Sequence, residues 1–241
     1  IGVYITYRVL DIADLTVDGS LATGGAVCVL LTVSGVNVWL ATIIAMLVGM
    51  LAGLVTGLFH TKCGIPAILS GILTQLALYS VNLRIMGWGT TAGTQSTLAV
   101  SVDKYGLLVS SRFVRELALR NPILLLVVIA AVVVALLYWF FGTEIGCGIR
   151  ATGANRNMAR SQGINTERNA VIGLMISNGI VALAGALIAQ YQGSSTVDMG
   201  RGAIVIGLAA VIIGEVILGH RLSNFAGKLA SCIIGAILYY V

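Results

Sequence analysis

Few side chains in this sequence could do chemistry, and they stand in apolar surroundings. In AILSGILTQLALYSVNL, Thr74, Gln75 and Asn82 fall with Gly71 and Leu78 on one helical face, at i, i+3, i+4, i+7 and i+11 from Gly71. Such a stripe either hydrogen-bonds to a neighbouring helix or lines a passage for a polar solute. Glu215, in AAVIIGEVILG, is the one carboxylate of its run. A carboxylate in so apolar a setting is a functional candidate, although His220 and Arg221 lie near enough in sequence to pair with it at an interface. Asp18 and Asp198 stand in a repeated phrase, TVDG and TVDMG, each followed by a Gly/Ala-rich apolar stretch. An aspartate there is expected to cap a helix by accepting its unpaired N-terminal amides.

Other chemistries lack their residues. Cys28, Cys63, Cys147 and Cys232 are scattered without paired spacing, and two lone histidines offer no metal set, so the cysteines read as small buried hydrophobes. No GxSxG, HExxH or paired intramembrane aspartates are present. Gly227-Lys228 fails as a phosphate loop, because Leu222 stands where the first glycine belongs and Leu229 where Ser or Thr belongs.

The elements that must position these residues are membrane helices. Of 241 residues, 58% are hydrophobic and 10% charged, whereas a soluble domain carries about 25% charged residues. Apolar runs at residues 19–33, 38–59, 66–83, 123–141, 170–189, 203–218 and 222–241 approach the length that crosses a hydrocarbon layer. None alternates as the strands of a barrel would. The fold class expected is all-α: a polytopic transmembrane helical bundle with an inverted repeat and interrupted helices. The chain opens without Met and stops within an apolar run, so both ends are expected to be truncated and residues 1–10 to be the tail of a longer helix.

Gly49, Gly53 and Gly57 form a tandem GxxxG, and Gly185/Ala189 and Ser231/Gly235 repeat the small-xxx-small spacing, so close helix packing is expected. The partner could lie within the chain or in a second copy. The net charge of +5 follows from basic loops rather than from a nucleic-acid partner. If the loop holding Arg150, Arg156, Arg160 and Arg168 is cytoplasmic, Thr16–Asp18 falls on the cytoplasmic side and Thr196–Asp198 on the outer side. The two phrases then open oppositely directed spans at opposite faces, as in the inverted repeats of transporters.

The most specific stretch is residues 144–190. Arg150, Ala151, Gly153, Asn155, Ala159, Gly163 and Ile164, followed by LAGAL at 183–187, resemble the cytoplasmic loop and next helix of ABC importer permeases of the branched-chain amino-acid and ribose type. DLTVDGSLATGGAV and STVDMGRGAIVIGLAAVIIGEVILG extend the likeness to a subgroup paired with binding proteins for amino acids, often aromatic ones. The resemblance implies a single transmembrane permease domain over 1–241, with a coupling loop at 142–168 and an extracytoplasmic loop at 85–121. That loop carries an amphipathic stretch in which Phe113 and Leu117 share a face and Glu116 can pair with Arg120. Coupling to the ATPase is implied for Arg150, Ala151, Thr152, Gly153, Asn155, Arg156, Ala159, Arg160, Gly163 and Ile164, with Ala151, Ala159 and the glycines permitting close contact. Glu215 departs from the glycine pair and small polar residue of better-known relatives.

The implied activity is passage of a small solute, an amino acid before a sugar or nucleoside, delivered by an external binding protein. Separate ATP-binding cassette subunits would bind ATP-Mg and hydrolyse it, and this chain would bind no cofactor and catalyse nothing. A homodimer in the bacterial cytoplasmic membrane, with its pathway near the two-fold axis, completes the expectation. An ATP-independent channel or secondary transporter would explain the repeat and the polar stripe, but not the coupling-loop residues.

Overall fold

A computed structural model describes residues 1–88, 93–100, 107, 109, 122–218 and 225–240. The chain opens with α1 (Gly2–Tyr4), which widens into a π-helical turn (Ile5–Val9). It continues through α2 (Thr16–Val33), α3 (Val38–Thr61), α4 (Ala67–Met86), β1 (Thr97–Ala99), α5 (Pro122–Phe141), α6 (Glu144–Ala154), α7 (Arg156–Ser161) and α8 (Thr166–Gln192). After α8 come β2 (Ser194–Thr196), a 3₁₀ turn (Val197–Gly200), α9 (Ala203–Leu218) and α10 (Phe225–Tyr240). Among the described residues, six helical runs are long and apolar enough to cross a membrane, the last being Val197–Ile217. Every expected span has its helix, and the amphipathic stretch with Phe113, Glu116, Leu117 and Arg120 lies outside the described residues, as do His220 and Arg221.

The core forms around α8, because small residues let other backbones reach it. A Cβ at Gly49 would strike Ala182 and the Asn178 carbonyl, one at Gly53 the Leu174 carbonyl, and one at Gly57 would lie 3.0 Å from Val171 Cα. The tandem GxxxG of α3 therefore packs antiparallel on α8, and its partner is inside the chain. On the neighbouring side, Ser20, Gly24 and Cys28 of α2 meet Asn178, Ala182 and Gln190 of α8 in turn, in parallel register. Gly214 and Gly235 bring α9 and α10 together in the same way. Lipid contributes no hydrophobic drive between helices, so this close van der Waals packing is the main source of association. By contrast α5 is exposed along most of its length, and its Val and Leu side chains suit a lipid-facing position.

Two spans are interrupted. The Asn178 side chain, about 18 Å along α8 from its start, donates to Asp14 Oδ2 at 2.7 Å. Consequently α2 begins inside the bundle, with Thr16 Oγ1 2.8 Å from Thr56 Oγ1 of α3. The lead-in runs down α8, with Ser177 Oγ donating to the Gly2 carbonyl at 2.8 Å, and turns back through Asp11, whose φ is +53°. At the far end of α8, Gly193 (φ +70°) returns the chain into the bundle as β2. β2 pairs antiparallel with β1, Thr97 opposite Thr196 and Ala99 opposite Ser194, which supplies the hydrogen bonds an extended segment needs away from water. Only after the 3₁₀ turn does α9 begin, beside Asp18.

The two TVD phrases therefore meet. Asp18 accepts N–H bonds from Gly202 and Ile204, and a Cβ at Gly200 would overlap the Asp18 carbonyl. This corrects the expectation that they mark opposite faces, which would stand about 30 Å apart. The opposed directions of α2 and α9 hold, but both helices start within the bundle. The cysteines divide: Cys28 and Cys232 are buried as expected, while Cys63 and Cys147 are exposed.

Candidate functional site

The junction of the lead-in, α2, α3 and α8 holds a buried polar cluster. Asp14, 1% exposed, accepts the Thr16 N–H at 2.9 Å and the Asn178 amide. Asn178 Oδ1 in turn receives a short hydrogen bond from Ser20 Oγ, which also reaches the Thr16 carbonyl at 2.8 Å. The carboxylate outside the helix thus terminates α2 in the protein interior, where unpaired amides would be costly. Asp14 is the residue that sequence reasoning missed. Its signal was present, an aspartate two residues before the first helical threonine, but Asp18 was the more conspicuous because its phrase repeats.

Asp18 is a cap, though of a different helix than expected. Lying in the first turn of α2, it spends both carboxylate oxygens on α9: Gly202 N–H at 3.1 Å and Ile204 N–H at 2.9 Å. Asp198 caps no helix among the described residues; it forms an exposed ion pair with Arg201 at 2.9 Å. The N-termini of two oppositely directed helices, both partially positive, are thereby held side by side by two carboxylates from one strand of sequence.

The polar stripe of α4 faces inward as expected. Thr74 is buried, its hydroxyl donating to the Ser70 carbonyl at 2.9 Å, and this bond is local to α4. Gln75 and Asn82 instead border a cavity of about 120 Å³ shared with Asp18, Tyr79 and Arg201. Glu215 stands apart from this cavity. It lies about 16 Å along α9 from Ile204 and pairs with Arg8 of the lead-in helix at 2.7 Å. That removes it from the group formed by Gln75 and Asn82, and its partner is Arg8.

The residues of the basic loop form α6 and α7. Asn155 Oδ1 caps α7, accepting from Asn157 and Met158 at 3.1 and 3.0 Å, and Gly163 (φ +78°) turns the chain toward α8. Arg160 Nε donates to Thr166 Oγ1 at 3.0 Å, and Arg150 lies over the Phe225 ring. Thr152 and Ala159 are buried, Ala151 and Ile164 half-buried, and Gly153 is pressed against the Val9 carbonyl, where a Cβ would overlap it. The small residues Gly153 and Ala159 thus allow packing within the chain. Asn155, Arg156, Met158 and Arg160 are among the exposed residues that the loop presents outward.

A bundle of six candidate membrane spans, with two helices that start inside it around a polar cavity, defines a membrane transport protein. The whole chain, residues 1–241, matches the model of the family described as branched-chain amino acid transport system / permease component, and the chain belongs to that family. It is a membrane-spanning permease subunit of an ABC importer for a small solute. It is 38% identical over 239 residues to a tyrosine transport system permease protein of Clostridioides difficile, covering 99% of this chain and 75% of that protein. It is 32% identical to an uncharacterised protein of Rickettsia prowazekii, over 100% of this chain and 81% of the other. Over 96 residues, 40% of this chain and 23% of the relative, it is 32% identical to the xylose transport system permease protein XylH of Escherichia coli. No solved structure matches the chain.

Proposed function

We propose that this permease passes an amino acid with an aromatic side chain, handed over by an extracytoplasmic binding protein, across a bacterial cytoplasmic membrane. The observation that carries the reading is the 38% identity to the tyrosine transport permease, over a match that covers 99% of the chain. The xylose relative matches only 40% of the chain, and a sugar is accordingly the weaker candidate. ATP-Mg is bound and hydrolysed by separate cassette subunits, which dock on the exposed side chains of α6 and α7. Arg156 and Arg160 offer them charge-assisted hydrogen bonds. Two permease copies form the membrane part, since identical subunits close most simply by two-fold symmetry.

Purification of the complex with its binding protein, followed by reconstitution in vesicles, tests this. Tyrosine uptake that requires ATP, and a native mass of two permeases with two ATPases, are the expected results. Uptake of xylose with no uptake of amino acids would overturn the solute, and a single permease copy with an ATPase pair would overturn the homodimer.

A further inference from the structure

The cavity between α2, α4 and the 3₁₀ turn has an imbalance of hydrogen-bonding groups. Asn82 is 1% exposed, yet its Oδ1 has no partner among the described residues. A buried acceptor left unpaired is costly unless something from outside completes it. Asp18, on the same cavity, uses one lone pair on each oxygen for α9, and each oxygen retains capacity for a further donor. Gln75 adds an amide, and Tyr79 a hydroxyl, to the same lining. Two acceptors, one of them charged, among the residues lining one small cavity suit a compact cation with several N–H donors. The rim carries the opposite sign: Arg201 is largely exposed, and its pair with Asp198 is a surface ion pair, worth little and readily exchanged.

We infer that this cavity is the head-group site for the solute, taking its α-ammonium on Asp18 and Asn82 Oδ1 and its carboxylate on Arg201. The inference rests on the amino-acid reading above. The cavity, about 120 Å³, is roomy enough to admit a zwitterionic head. The side chain of the solute then extends past Leu76 and Tyr79, which are exposed on α4. Asp18 thereby couples the two tasks, because the carboxylate that meets the ammonium also fixes the start of α9.

The test uses the reconstituted importer with its ATPase and binding protein, and reads tyrosine moved per ATP hydrolysed. Asn82→Leu keeps the side-chain size and removes the acceptor. It should lower that ratio about tenfold, the loss of one hydrogen bond to a charged group, with ATPase stimulation by the binding protein retained. Asn82→Asp keeps an acceptor for the ammonium and should retain more of the ratio than Asn82→Leu, whereas under a merely structural role the added buried carboxylate would make it the worse of the two. Should Asn82→Leu fail to assemble, Arg201→Gln on the exposed rim gives the same readout, with Arg201→Lys partly restoring it. Wild-type coupling in Asn82→Leu or in Arg201→Gln overturns the head-group site while leaving the amino-acid reading intact, as does a loss in Asn82→Asp equal to or greater than that in Asn82→Leu. A wild-type complex that moves sugars but neither tyrosine nor any other amino acid overturns both.

Discussion

The carboxylate of Asp18, in the first turn of α2, accepts the backbone N–H of Gly202 at 3.1 Å, 184 residues further along the chain. Its other oxygen takes Ile204 N–H at 2.9 Å. One side chain near the start of the sequence therefore finishes a helix near its end, and the two halves of the permease are joined where both interrupted spans begin.

An amide at this position cannot do the same work, because an Asn side chain has a single acceptor oxygen. Asp18→Asn should leave one of the two α9 amides unpaired and cost about 1–3 kcal/mol, and Asp18→Ala should cost more. Thermal unfolding in detergent checks the order: wild type above Asn, Asn above Ala. Equal stability of Asp and Asn would show that only one of the two bonds matters.

The buried partner pair Asp14–Asn178 should be more sensitive still. Asn178→Ala removes the 2.7 Å bond to Asp14 and the acceptor of Ser20, leaving a carboxylate oxygen unpaired in the bundle. Leaving a buried hydrogen-bonding group without its partner costs about 1–3 kcal/mol, and more where that group is charged. A lower yield of folded permease and a lower melting temperature are expected, whereas Asn178→Ala together with Asp14→Ala should recover part of the loss, as a double-mutant cycle would measure.

Along α6 and α7, packing and docking should separate by residue. Gly153→Ala drives a methyl group into the Val9 carbonyl and should destabilise the fold by about 1–3 kcal/mol. Met158→Ala and Arg156→Ala alter only exposed side chains. They should leave the melting temperature unchanged and weaken co-purification of the ATPase. If Gly153→Ala were stable and selectively lost the ATPase, the glycine would belong to the docking surface instead.

The Arg8–Glu215 pair is half-exposed, so its worth to stability is at most about 1 kcal/mol. Arg8→Glu should slightly lower the melting temperature, and the charge exchange Arg8→Glu with Glu215→Arg should restore it. Tyrosine uptake by Glu215→Gln should stay close to wild type, because the carboxylate lies far from the cavity. A transport defect there without a stability change would return Glu215 to the passage.

Composition and periodicity determined a good deal of this protein unaided. Membrane spans are legible because a helix in lipid needs some 20 apolar residues whatever packs beside it, and helices appear at all the expected runs. The face of α4 was equally legible, since Thr74, Gln75 and Asn82 recur at helical spacing and a polar stripe must turn from lipid. The glycines at 49, 53 and 57 announced a close contact. What they could not say is that Leu174 and Ala182 of the same chain fill it, because a small residue specifies distance and not partner. For the same reason Gly153 pointed to close packing without revealing that it occurs against Val9 inside the chain. The depth of the two TVD phrases was decided by tertiary structure alone. A local phrase states that a helix begins, but where it begins in the bilayer depends on lead-ins with no periodic signal: the reversal at Asp11, and β2 held in place by β1. The bonds from Asp18 to α9 belong to that level too. A carboxylate will cap whichever open helix end the fold brings within about 3 Å, and here the fold brings one from across the chain.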